Sequence, residues 1–230
     1  MAIYITGDTH GKFHHIAEFC NDMKTTTRDT IIILGDAGIN YYNDPRDTYT
    51  KDDLSEIPIT FFCIHGNHEI RPEKLSFYET ETCFGNNAFF EKKYPNIWFA
   101  KDGTIYDIGG KKTFVCGGAY SVDKFYRLSR GWNWFPDEQP NERIKQLCEN
   151  VLELHNWKVD RVLTHTCPYQ YIPREMFLSG IDQSTVDNST ELWLEGLENR
   201  LKYEKWCCGH YHTDKKIDKI QFLYHNIMEW

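Results

Sequence analysis

The stretch 5-ITGDTHGKF-13 ends a short apolar run in Gly-Asp, and 31-IIILGDAG-38 does the same. A third run, 57-IPITFFCIHGN-67, closes in Gly-Asn. Continuous apolar runs of this length suit strands covered on both faces. Between the first two runs, Phe13, Ile16, Ala17 and Cys20 recur at helical spacing, which predicts an amphipathic helix over 12–24. A short helix is expected near 48–55. Strand alternating with helix makes this the opening of an α/β fold.

Further along, the pattern changes. 96–121 holds short strands punctuated by glycine, as suits antiparallel pairing. An irregular loop rich in Trp and Arg is expected to about 136. Ile144, Leu147, Val151 and Leu154 mark one face of a helix within 137–157, and 159-VDRVLTHTCP-168 returns to a strand. A last helix is expected over 189–204, capped by Ser189 or Thr190. Strands at 205–212 and 215–227 complete a mixed-sheet arrangement with helices outside.

The 230 residues, 40% hydrophobic, suffice for one sizeable core, and no linker, repeat or low-complexity tract divides them. One domain over 1–230 is expected. A net charge of −8 argues against a large basic nucleic-acid surface. The chain contains eight cysteines but no CxxC pair. Cys63, Cys116, Cys207 and Cys208 therefore read as small buried hydrophobes rather than zinc ligands. With the first strand expected to begin at Ala2, no leader is expected. No run approaches the roughly 18 apolar residues of a membrane span. A reduced, cytoplasmic protein with no membrane partner is expected.

The strand ends carry the chemistry. They are 7-GDTH-10, 35-GDAG-38, 66-GNHE-69, 163-LTHT-166 and 209-GHYH-212, and they hold five of the ten histidines. Ligands in open sheets gather at the carboxyl ends of strands. Carboxylates and imidazoles together suit divalent ions such as Zn²⁺, Mn²⁺ and Fe²⁺. Each residue alone has an ordinary role open to it: Asp8 and Asp36 as turn formers, His165 as a core histidine. His210 and His212, one residue apart off a strand, are expected to point the same way. His14, His15, His155 and His225 belong to no motif, and core or surface is the reading for His65.

In this order, the five motifs resemble the calcineurin-like metallophosphoesterases. The resemblance implies an α/β fold of two packed mixed β-sheets flanked by helices, a four-layer αββα sandwich with a two-metal centre at its edge. It implies that Asp8, His10 and His212 hold one ion, that Asn67, His165 and His210 hold the other, and that Asp36 bridges them. His68 would stand beside the scissile phosphate as acid or charge stabiliser. Two ions about 3.5–4 Å apart can acidify a shared water to a metal-activated hydroxide and neutralise phosphate oxygens, while a histidine protonates the leaving alkoxide. Mn is the expected metal, with Fe, Zn, Co or Ni as alternatives.

The expected substrate is a phosphomonoester or phosphodiester, nucleotide-like and small. The second motif reads 35-GDAGINYY-42, without the Asp and Arg usual in protein Ser/Thr phosphatases, which disfavours that activity. No dedicated nucleic-acid-binding domain is expected, which disfavours a nuclease. A non-catalytic scaffold would be expected to have lost ligands. The 117–140 segment reads either as a surface loop with aromatics filling a satellite core, or as a substrate wall. In the second reading Arg127 or Arg130 meets a phosphate, and Tyr120, Trp132 or Trp134 stacks on a base. The polar loop 179–191 has no assigned role.

Overall fold

The structure, a computed structural model, describes all residues 1–230. In chain order the elements are β1 (Ile3–Thr6), α1 (His14–Met23), β2 (Thr30–Ile33), α2 (Pro45–Ser55) and β3 (Thr60–Cys63). Then come β4 (Glu79–Cys83), β5 (Asn86–Glu91), β6 (Tyr94–Phe99), β7 (Thr104–Ile108) and β8 (Lys111–Cys116). The second half supplies α3 (Lys124–Arg130), α4 (Glu142–Leu154), β9 (Arg161–Thr164), α5 (Ser189–Glu198) and β10 (Lys205–Cys208). β11 (Lys215–Ile217), β12 (Ile220–Phe222) and β13 (Met228–Glu229) end the chain.

Two mixed sheets result, one of seven strands ordered β13-β1-β2-β3-β6-β5-β4, the other of six ordered β11-β12-β10-β9-β8-β7. Alternation along each buried strand divides its side chains between two interfaces. Ile3, Ile5, Ile32 and Phe62 face the second sheet and meet Tyr106, Val115, Leu163 and Cys207. Tyr4, Ile31, Ile33 and Phe61 point outward and pack with Ile16 and Cys20 of α1 and Leu54 of α2. On the far side Phe114, Val162, Trp206 and Cys208 pack with Cys148 and Leu152 of α4 and Leu194 of α5. Three apolar interfaces thus separate four layers, helix–sheet–sheet–helix. All eight cysteines are free thiols.

Several local expectations change. β7 and β8 form the expected antiparallel hairpin, but β6 runs parallel to β3 and β8 parallel to β9. Residues 124–130 are helical rather than irregular. Asp123 and Arg127 pair there at i,i+4, and Gly131 ends the helix at φ 66°. The β4–β5 hairpin carries no sequence signal, since β4 is mostly exposed and lacks apolar alternation. Helix α5 follows Asn188, not a Ser or Thr cap. The Asp187 carboxylate accepts the Ser189 amide, while the Thr190 hydroxyl donates to Gln139 instead.

Candidate metal centre

β1, β2 and β3 are parallel neighbours in one sheet, and β9 and β10 are parallel neighbours in the other. Their carboxyl ends therefore open on one edge of the sandwich, and all five motifs meet there. The turns are tight. A Cβ on Gly66 would collide with the Asp36 backbone and carboxylate, and one on Gly209 with the Asp8 carboxylate. His10, Asp36, His210 and His212 all adopt left-handed backbone, with φ between 47° and 66°. Such conformations are uncommon for non-glycine residues and gather where the fold holds a functional geometry.

Asp8, His10 and His212 form one donor group, their ligating atoms within 4.8 Å of one another. His10 Nε2 faces His212 Nε2 at 2.9 Å, and His212 Nε2 lies 3.3 Å from Asp8 Oδ2. That Oδ2 is buried with no hydrogen-bond partner, whereas Oδ1 accepts the His210 amide at 2.9 Å. The neighbouring Asp8 carboxylate raises the His212 pKa above the usual histidine value.

Asp8, Asp36 and His165 form the second group. The fully buried His165 has Nδ1 2.7 Å from the Leu34 carbonyl, which can only accept, so Nδ1 carries the proton. Its other nitrogen then turns a lone pair on Asn67 Oδ1, 2.8 Å away. The Asn67 amide is oriented by donating its Nδ2–H to Ser121 Oγ at 2.8 Å. Two acceptors at that distance in a buried site call for a positive charge between them. His210 stands beside His165 with ring centroids 5.0 Å apart. Burial pushes its pKa down to about 3, keeping the imidazole in the neutral form that ligates metals.

Asp8 is common to both groups, and Asp36, a member of the second, also reaches toward the first. Asp36 Oδ2 is 3.9 Å from His10 Nδ1 and its Oδ1 is 3.7 Å from His165 Nε2. Burial alone would raise its pKa, but the imidazoles of His68, His165 and His10 hold it well below the carboxylate range. Oxygen and nitrogen donors converge here with unshared lone pairs and one buried orphan carboxylate oxygen, so the residues fit divalent cations.

His68 donates its backbone N–H to Asp36 Oδ1 at 2.8 Å. Its ring Nε2 lies 3.8 Å from Asp36 Oδ2 and 3.3 Å from Arg127 Nη2. Burial, with help from the Arg127 charge, lowers its pKa. Arg127 is held by Asp123 at 2.7 Å and the Tyr41 hydroxyl at 3.0 Å.

The other residues of 117–140 divide. Tyr120 lines the cavity beside the centre. Arg130 lies over Tyr126 instead, and Trp132 is half exposed with its ring against Tyr126. Trp134 donates to Glu138 Oε2 at 2.7 Å and is covered by Lys124. These three do not line the cavity. His210 and His212 also diverge, because both lie in left-handed turns beyond β10 where strand alternation no longer applies. His210 reaches His165, and His212 reaches His10.

Two supporting residues were not singled out in the sequence. Ser121 orients Asn67, and nothing local marks it. Glu69 accepts the Gly66 amide at 2.7 Å and braces the turn, and its place in Gly-Asn-His-Glu was the available signal. His65 is buried with neither ring nitrogen bonded.

The family model for calcineurin-like phosphoesterases matches residues 1–214. The chain therefore belongs to the calcineurin-like phosphoesterase family, whose members are metal-dependent phosphoester hydrolases. One solved structure aligns with 96% of this chain and 88% of its own, at 12% identity and TM-score 0.51. The protein TT1561 of Thermus thermophilus aligns with 96% of this chain and 87% of its own, at 13% identity and TM-score 0.51. These likenesses concern the fold. No curated protein matches the chain. No helix is long and apolar enough to cross a membrane.

Proposed function

We propose that this protein hydrolyses phosphate mono- or diesters with two divalent ions, Mn²⁺ first among them. Asp8, His10 and His212 would hold one ion, Asn67, His165 and His210 the other, and Asp36 both. The observation that carries this reading is the pair of facing acceptors His165 Nε2 and Asn67 Oδ1, 2.8 Å apart, beside the convergence of His10 Nε2 and His212 Nε2 with the unpartnered Asp8 Oδ2. Ions held there would acidify a water and neutralise phosphate oxygens.

The chain's own residues do the rest. The Leu34 carbonyl fixes the His165 tautomer, and Ser121 fixes the Asn67 amide, so both donors are set before an ion arrives. Arg127, braced by Asp123 and Tyr41, presents a positive charge beside His68 where a phosphate would bind. His68 would stand beside the scissile phosphate as acid or charge stabiliser for the leaving oxygen.

The test is metal dependence. Chelated protein should carry no bound metal and show no turnover of an aryl phosphate, and Mn²⁺ should restore both, with Fe²⁺, Co²⁺ or Ni²⁺ also competent. Undiminished activity after exhaustive metal removal would sink the proposal.

A further inference from the structure

The centre opens into a cavity of about 300 Å³. Its far wall is built from residues 172–191, which follow β9 and run into the first turn of α5. Phe177, Leu178, Ile181 and Val186 line it on that side, facing Tyr120 and Tyr211. Leu178 is 61% exposed and Phe177 37%, so this wall presents apolar surface to water. Small-molecule sites have this composition, mostly apolar with a few placed polar groups.

The polar lining has one sign. Beyond the centre it comprises Asp123, Asp187 and Glu191 with the amides Gln183 and Asn188, and neither Lys nor Arg lines the cavity. Glu191 is 3% exposed. Its Oε1 accepts the Thr166 hydroxyl at 2.8 Å, and its Oε2 has no partner. Burial pushes its pKa up to about 7, which leaves Asp187 as the wall's carboxylate charged throughout the neutral range. Asp187 accepts from the Gln139 side chain and the Ser189 amide, neither of which carries a charge. Arg127 is bound to Asp123 on the His68 side, and Lys145, whose charge helps lower the Asp187 pKa, does not line the cavity.

We infer that this cavity receives the leaving group of the ester, and that it selects an apolar or aromatic alcohol bearing no negative charge. The assignment rests on the hydrolytic reading above for which end of the substrate meets the metal centre. Apolar walls reward burying a ring or hydrocarbon. A further phosphate or carboxylate would lose water to face carboxylates, with no cation on the wall to receive it. The esters selected are thus simple phosphates of neutral alcohols, nucleosides included. Nucleoside di- and triphosphates cleaved at their terminal phosphate, whose leaving portion carries further charge, are selected against.

The experiment compares two matched probes on Mn²⁺-loaded protein, phenylphosphonate and 4-carboxyphenylphosphonate for calorimetric binding, with the corresponding aryl phosphates for turnover. Phenylphosphonate should bind about tenfold more tightly or better, the equivalent of one unfavourable charge contact in a partly desolvated site. Leu178→Lys, at an exposed position where folding is insensitive, should narrow or reverse that ratio. Asp187→Asn should shift it in the same direction. Equal affinities in the wild type, or a ratio indifferent to Leu178→Lys, would overturn the inference. Turnover of both aryl phosphates without discrimination between the phosphonates would remove this inference and leave the hydrolytic reading intact. Discrimination between the phosphonates with no turnover would overturn the hydrolytic reading and the leaving-group assignment that rests on it, leaving only the cavity's preference for an uncharged ring.

Discussion

The Asp36 carboxylate accepts the His68 amide at 2.8 Å, so the two residues are tied through the backbone while their side chains serve different ends. Asp36 belongs to the second donor group and reaches toward His10 of the first, where its charge would let two cations sit close together. Asp36→Asn should therefore lower metal content and rate together. His68 belongs to neither donor group. His68→Asn should retain about two ions per chain and slow turnover by roughly 10²–10⁴, the range for losing a general acid. The defect should shrink for a good leaving group, which needs no proton. Metal analysis beside rates on a good and a poor leaving group checks both variants. Loss of an ion from His68→Asn, or equal defects on both substrates, would reassign the residue. Asp36 and His68 are legible in the sequence because each sits in a short motif at a strand end. Ser121, which orients Asn67 from 54 positions away, is not, since a serine after Gly-Gly-Ala-Tyr has no local signature.

Asp29 shows how an element junction is pinned. It precedes β2, and its carboxylate accepts the Ala2 amide at 2.7 Å and the Thr26 amide at 2.9 Å, joining the start of β1 to the turn before β2. The Ala2 bond first, then the Thr26 bond, hold its pKa below the usual value for Asp. A depressed carboxyl pKa stabilises the fold above the unfolded-state value, about 3.9, and that contribution is lost as pH falls through the folded-state pKa. The stability advantage of wild type over Asp29→Asn should therefore be full at pH 6 and vanish in acid, as urea midpoints across pH would reveal. An advantage unchanged at low pH would mean the bonds do not depend on the charge. Apolar periodicity located β1, α1, β2, β3, α4 and β9, because those segments bury one face or two. It missed α3 and the β4–β5 hairpin, which are held by an ion pair, a glycine stop and neighbouring strands rather than by a buried stripe of their own.

Both sheets contribute to the centre: β1, β2 and β3 from one, β9 and β10 from the other. Ion binding should therefore clamp the whole molecule. Ions that bind only the folded state add about 2.7 kcal/mol at one hundred times their Kd. Mn²⁺ should raise the thermal midpoint of chelated protein, Asp36→Asn should show a smaller rise, and hydrogen exchange should slow in both 8–10 and 209–212. Protection confined to one of these segments would mean that the ions do not bridge the sheets. At this scale, sequence alone determined the strands and helices that bury an apolar face and which acids and histidines stand at strand ends, because each depends on neighbours a few residues away. Tertiary structure decided which of them meet. His10 faces His212 across 202 positions and His165 faces Asn67 across 98, distances over which no local pattern carries information. It also sent His210 and His212 to different partners through left-handed turns. For the same reason the cavity wall came from 172–191 rather than from Trp132 and Trp134: side chains line a cavity according to the packing of the layers around it, which no single segment specifies.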